Sequence, residues 1–269
     1  MLNIIIKELE EIIKKYGQER KTKIISAEEN KITVEEEAVP DYPVTLFYTK
    51  EGYFKKITPQ SLRMSGEHKL KEGDEIVTTV ETTNAAELLF FTDKCQVYKS
   101  RANDFEDSKT SVLGDYIPAK LGFEEGEKPV SMVITTDYTG FVMFFFTNGR
   151  VAKVGLSAYA TKTNRKKLIS AYTDKFELCK IMHIPADCEL VLKSSSGRMF
   201  LLHSGAMQVK ATKANGGVAD MTQKKGQRLF DVVPYVDGMF QKPHRYRTRT
   251  LPAAGALPSA DEQGEQLKL

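Results

Sequence analysis

The 269 residues carry 39 lysines and arginines against 36 aspartates and glutamates, a formal net charge of +3, with 41% hydrophobic and 28% charged residues. Such a chain can bury a core as one large domain or two small ones, and its total charge marks no nucleic-acid binder, so that case must rest on where the cations sit. Cys95, Cys179 and Cys188, odd in number and without C-x-x-C spacing, fit a reducing cytoplasm better than a disulfide framework, and no apolar run approaches the roughly 20 residues of a membrane span.

The first element is a helix. Ile5, Leu9, Ile12 and Ile13 recur at three- and four-residue spacing among Lys and Glu, and Gly17 is placed to end it. The acidic residues inside this pattern distinguish it from a signal peptide. Its apolar stripe needs a partner, either the rest of this chain or something absent from it.

From residue 22 to about 237 the pattern becomes short and β-rich. Four hairpins share one text: TLFYTKEGYFKKI at 45–57, LLFFTDKCQVYKS at 88–100, MFFFTNGRVAKV at 143–154 and LVLKSSSGRMFLL at 190–202. Aligned on the end of the first strand, at Thr49, Thr92, Thr147 and Ser194, they repeat with a period of about 50 residues. Between them come a polar turn and a further strand, starting near Lys71, Glu124, Thr173 and Lys224. Four copies of a β-rich unit predict an all-β, propeller-like disc of about four blades behind one short helix. Beyond residue 237 the sequence is rich in Pro, Ala, Gly and charge without a sustained period, which predicts a flexible tail over 238–269.

Signals for catalysis are scarce. There is no G-x-G-x-x-G, Walker loop or G-x-S-x-G elbow, and His68, His183, His203 and His244 lie in separate units without metal-ligand spacing. The expectation is no catalytic residue, no cofactor and no metal. The cations say more. Lys55 and Lys56, Lys99 and Arg101, and Arg150 and Lys153 stand on the outgoing strands of the first three hairpins. The fourth keeps Arg198 but has Leu201 at the aligned position. Around them lie Arg63 and Lys69, then Lys162, Arg165, Lys166 and Lys167, and later Lys210 and Lys213. Repetition around an axis would bring these to one rim as a curved basic stripe suited to the duplex backbone, which carries a charge every ~1.7 Å. Alternatively, they only protect blade edges, and the disc is a protein-interaction scaffold.

The hairpin LLFFTDKCQVYK, with YGQERKTKI before the repeats and KLKEGDEIV in the first, resembles the C-terminal domain of the A subunit of bacterial type IIA topoisomerases, DNA gyrase and topoisomerase IV. The resemblance covers nearly everything from about residue 4 to 235. It implies a β-pinwheel whose basic rim binds and bends duplex DNA, with residues 1–21 as the end of the coiled coil of the cleavage-reunion core. The implied partners are duplex DNA, that core and, through it, the ATPase B subunit. The implied setting is the bacterial cytoplasm at the nucleoid, with the isolated domain a monomer. Gyrase carries a basic box, Gln-Arg-Arg-Gly-Gly-Lys-Gly, after its first hairpin. Here SLRMSGEHKLKEGDE (61–75) lacks it, and only KATKANGGVADM (210–221) looks related, which points toward topoisomerase IV. The family's cleavage tyrosine follows an Arg, yet Arg245-Tyr246 lies in the expected tail, so the chain is expected not to cleave DNA.

Overall fold

The computed structural model describes residues 2–18, 40–64, 66–161, 165–248 and 250–259. The chain divides into two units, Met1–Val39 and Pro40–Leu269. In the first, α1 (Leu2–Tyr16) has no buried residue, and its stripe of Ile5, Leu9, Ile12 and Ile13 is exposed.

The second unit is built from hairpins. Its strands begin with β1 (Pro43–Thr49), β2 (Tyr53–Ile57), β3 (Ile76–Thr83), β4 (Glu87–Thr92), β5 (Val97–Arg101) and β6 (Asp115–Tyr116). They continue with β7 (Pro129–Thr135), β8 (Phe141–Phe146), β9 (Arg150–Gly155), β10 (Lys167–Leu168) and β11 (Leu178–Ile184). The last are β12 (Glu189–Ser194), β13 (Met199–His203), β14 (Val218–Ala219) and β15 (Leu229–Pro234). They form four sheets, ordered β3-β1-β2-β6, β10-β5-β4-β7, β11-β8-β9-β14 and β13-β12-β15. Each blade is thus an antiparallel hairpin flanked by a long strand on its first member. In three blades a two-residue strand flanks the second. The long strands gather together, β11 lying against both β7 and β15. The architecture is four-bladed and propeller-like, as the repeats predict.

Blades stack face to face, so a hairpin strand is buried on both sides and must be apolar at every position, not at alternate ones. Phe90 and Leu88 pack against Leu46, Tyr48 and Phe54 of the first blade, while Leu89 and Phe91 pack against Val142, Phe144 and Phe146 of the third. Met143 and Phe145 then face Leu190, Leu192 and Phe200 of the fourth. Among the described residues no hydrophobic cluster joins the fourth blade to the first. Instead, Val191, Met199 and Leu201 on the fourth blade's outer face are covered by Phe240 and Tyr246.

That cover corrects the expected flexible tail. Residues 238–248 and 250–259 pack against the disc: Leu201 bridges Arg247, Met199 bridges Ala256, and Met221 at the edge of blade three bridges Ala253. The segment is a strap across blades three and four, supplying the edge that β6, β10 and β14 give the others. Composition hid it because Pro, Gly and Ala break helical and strand periods without preventing burial of two aromatic rings. Residues 260–269 lie outside the described set.

One alignment also shifts. The hairpin turns place Gly52, Cys95, Gly149 and Gly197 at positive φ, each three residues after a strand end and each donating its N–H to that residue's carbonyl. By that register the third hairpin's counterpart of Thr49 is Phe146, not Thr147. At Gly149 a side chain is excluded: φ is +81°, and a Cβ would stand 2.0 Å from the Met221 carbonyl oxygen.

Candidate nucleic-acid interface

The turn register makes Lys56, Lys99, Lys153 and Leu201 equivalent, each four residues past the turn residue. The first three lysines point across blade junctions. Lys56, 3% exposed, donates to Asn84 Oδ1 at 2.7 Å and pairs with Asp107 at 3.1 Å. Lys99, its side chain 11% exposed, reaches Thr161 Oγ1 at 3.1 Å, Glu87 at 3.6 Å and the Tyr138 ring at 4.9 Å. Lys153, 2% exposed, pairs with Asp187 at 2.5 Å, donates to the Ser204 carbonyl at 3.1 Å and lies 4.2 Å from the Phe141 ring centre. The Lys153 ammonium and the Ser204 hydroxyl hold the Asp187 carboxyl below its ordinary value. Each lysine thus anchors the connection from its own blade to the next, through Asn84 between β3 and β4, Tyr138 between β7 and β8, and Asp187 between β11 and β12. Among the described residues no blade follows the fourth, and there the lysine is replaced by Leu201, buried under the strap.

A rim role for Lys55, Lys56 and Lys153 is therefore corrected. Their ammonium groups are enclosed and satisfied by internal acceptors, and Lys99 is largely enclosed as well. Lys55 turns to the opposite face of blade one, where it donates to the carbonyls of Lys69 (2.7 Å) and Thr110 (3.2 Å), and burial lowers its pKa. A cation in a strand reads as surface only if one face of that strand is wet, and here neither is. Lys153→Ala is expected to lower the unfolding free energy by about 2–3 kcal/mol, from a lost charged hydrogen bond and lost packing of the stem. Lys153→Leu, which copies the fourth blade, should cost about 1 kcal/mol. Urea unfolding of both variants checks the order.

Arg150 and Arg198 also do structural work. Each follows its turn glycine and clamps the outermost segment of its blade. Arg150 donates to the Gly216 and Gly217 carbonyls at 2.8 and 2.6 Å, and Arg198 to the Gly255 carbonyl at 2.9 Å.

Those outermost segments hold the reachable cations. In blade three the segment joins β9 at Lys210, runs out, and returns at β14. Residues 107–115 do the same on blade one between Asp107 and β6. On blade four, the strap meets β13 at Arg247 and again at Ala256. On blade two, the Lys166 carbonyl accepts from the Lys99 N–H just before β10. Each blade thus carries one outer-edge loop. KATKANGGV, which follows the fourth hairpin in sequence, belongs to the edge of the third blade.

On these loops Arg165 and Lys166 are exposed, and Lys210 and Lys213 are half-buried. Lys167 pairs with Glu124 at 2.6 Å. Lys162 lies outside the described residues. Blade one's loop adds exposed Lys109, which sequence reasoning passed over because it stands alone between turns. Arg63, Lys69 and Arg101 are exposed elsewhere on blades one and two.

The loops of blades two and three converge. Lys213 lies 5.6 Å from the Tyr159 ring centre, and its ammonium is held below its ordinary pKa by burial first, then by repulsion from Arg165 and Lys99. No acid is among the groups that shift it. Beside this cluster a hollow of about 260 Å³ is lined by Tyr98, Lys99, Asp104, Lys120 and Lys166, and Lys120 pairs with Asp115 at 3.5 Å. Exposed Arg165 and Lys166 and half-buried Lys213 put cations on the edges of neighbouring blades, where they attract anions.

Two features sit apart from this surface. Tyr246 is 2% exposed and its ring stacks on Phe240 at 4.2 Å, so the Arg-Tyr pair belongs to the core under the strap. No helix among the described residues is long and apolar enough to cross a membrane.

No protein-family model matches the chain. The A subunit of DNA topoisomerase 4 from Staphylococcus aureus is 26% identical over 222 residues, covering 80% of this chain, and this chain spans only 28% of that protein's length. The crystal structure of the C-terminal domain of DNA topoisomerase IV superposes with a TM-score of 0.69 at 18% identity, over 81% of this chain and 73% of that one. The E. coli ParC C-terminal domain gives 0.60 at 13% identity, over 81% and 94%. The DNA gyrase A C-terminal domain gives 0.53 at 14%, over 80% and 76%. These likenesses do not separate a topoisomerase IV parent from a gyrase parent. Over four-fifths of its length the chain is a homologue of the topoisomerase IV A subunit, and its fold is that of the C-terminal domains of topoisomerase IV and gyrase A subunits.

Proposed function

We propose that this chain is the noncatalytic DNA-binding part of a type IIA topoisomerase A subunit, and that its outer-edge loops hold duplex DNA by the backbone. The carrying observation is the approach of Lys213 on blade three's loop to Arg165 on blade two's, with exposed Lys166 next to Arg165. Cations on neighbouring loops would each meet a backbone phosphate and release its counterions. Backbone contacts fix path and register without reading sequence.

Bending a 20–30 base-pair site by 40–90° costs roughly 1–6 kcal/mol, so several loops must act together. Blade one's loop carries acids as well as Lys109, and blade four's Arg247 is held by both oxygens of Glu189 at 2.6 Å. The path is therefore strongest across blades two and three and shorter than a full circuit. This favours bending over full wrapping, in a topoisomerase IV-like parent. The parent would contribute the cleavage-reunion core and, through the B subunit, the ATPase, all in the bacterial cytoplasm. The domain would present a DNA segment for strand passage.

The test is binding to a 40 base-pair duplex by fluorescence anisotropy at several salt concentrations, with ligation of relaxed circles in the bound state. About five phosphate contacts give a log-affinity against log-salt slope near −4.5, independent of sequence. A slope near zero contradicts the proposal. A linking-number change on ligation reports writhe and its hand.

A further inference from the structure

Asp220, the residue after β14, is unusual in this molecule. Its side chain is fully buried, and among the described residues neither carboxylate oxygen has a hydrogen-bond partner. Its backbone is a junction of three segments. The Asp220 N–H donates to the Gly149 carbonyl of the hairpin turn at 3.1 Å, and its carbonyl accepts from Ala253 of the strap at 2.9 Å. Thr222 then donates back to the Ala253 carbonyl at 2.8 Å. Beside it a cavity of about 300 Å³ is lined by Lys210, Gly217, Val218 and Ala219 of the outer-edge loop and by Leu251 of the strap.

The charged groups around this carboxyl are few. From β9 comes Arg150, whose guanidinium is engaged by the Gly216 and Gly217 carbonyls. Lys153, committed to Asp187, and Lys210 line the cavity. The strap contributes Leu251 and Ala253, both uncharged. Burial pushes the carboxyl up to about 7, with Arg150 opposing. A buried carboxylate without a donor is costly, and the cost is relieved either by protonation or by letting water in. At Asp220 itself the strap and the loop meet through short backbone bridges, away from the Phe240 and Tyr246 anchor, so local opening there is easier than global unfolding.

We propose that Asp220 is a proton-operated latch: protonated, it lets the strap seat on the edge of blade three; ionised, it loosens the strap and the loop that presents Lys210 and Lys213. The second effect rests on the DNA-contact reading above and makes DNA binding weaken as pH rises. The sign follows from linkage. The closed form holds a proton that the opened, hydrated form releases, so closure is favoured at low pH and lost as pH rises through the closed-form titration.

The test is native-state hydrogen exchange on the full chain at pH 6 and pH 8, corrected for intrinsic rates, for the wild type and Asp220→Asn. A latch titrating near 7 predicts that protection of the Thr222 and Ala253 amides falls about tenfold between the two pH values in the wild type and stays constant in Asp220→Asn. Amides within β4 and β8 should not change. Equal protection at both pH values, or the same fall in Asp220→Asn, overturns the latch. Carbon-13 titration of the Asp220 carboxyl in the wild type is independent of any variant, and a midpoint below 5 overturns it too. The same two proteins are titrated with a 40 base-pair duplex. Loss of affinity at pH 8 in the wild type alone supports control of the loop, and unchanged affinity with a working latch overturns that control. No binding at either pH overturns the DNA reading and leaves the exchange result to decide the latch.

Discussion

Replacing Tyr246 by Ala is expected to lower the unfolding free energy by about 3–5 kcal/mol, the range for truncating a large buried aromatic side chain. The ring is 2% exposed, stacks on Phe240, and with it covers Val191, Met199 and Leu201 on a hairpin face that no other blade covers among the described residues. Its loss leaves a cavity and wets the outer face of blade four. Because the strap also bridges blade three at Met221, the damage should extend to that edge and stop there. Amides of β1 and β4 should keep their protection while those of β13 lose it. Urea denaturation gives the magnitude, and exchange gives the place. A change below about 1 kcal/mol would mean that the strap is a passive extension of the chain.

Reversing three charges at once, Arg165→Glu, Lys166→Glu and Lys213→Glu, should weaken duplex binding by at least about 100-fold near physiological salt. Each removed cation takes one counterion-releasing contact with it, and each added carboxylate repels the same phosphate. Stability should move little, because positions 165 and 213 remain like-charged after reversal while the repulsion between residue 213 and Lys99 becomes an attraction. The contrast lies with the anchoring lysines. Changes at Lys56 or Lys153 should lower stability first and affect binding only through misplacement of blades.

Much of the fold was legible because the hairpin is written four times. A period near 50, strand-forming residues and Gly at three of the four turns specify blades, and residues 88–100 repeat the same strands around Cys95. The site was less legible, for one physical reason: the lysine on the outgoing strand recurs as faithfully as a functional residue, but the repeat preserves it for blade-to-blade contact. Sequence marks the residue and leaves its direction open, because a strand buried on both faces has no alternation to show which positions meet water. Leu201 was the available clue, since a lysine lost only in the last copy is one that bonds to the next blade. The loop cations were visible as the run Arg165, Lys166 and Lys167, but their meeting with Lys213 depends on adjacency of blades, which no linear spacing records. The strap was misread because its burial comes from isolated aromatics at Phe240 and Tyr246, without a period.

The most direct test of the outer-edge assignment is the salt dependence of duplex binding, compared between the wild type and the triple charge-reversal variant under identical conditions. If the loops of blades two and three hold the backbone, the slope of log affinity against log salt should become shallower by about 3. Affinity should fall for every duplex sequence alike. An unchanged slope and affinity in a variant that remains folded would contradict the account and place any DNA contact elsewhere on the disc.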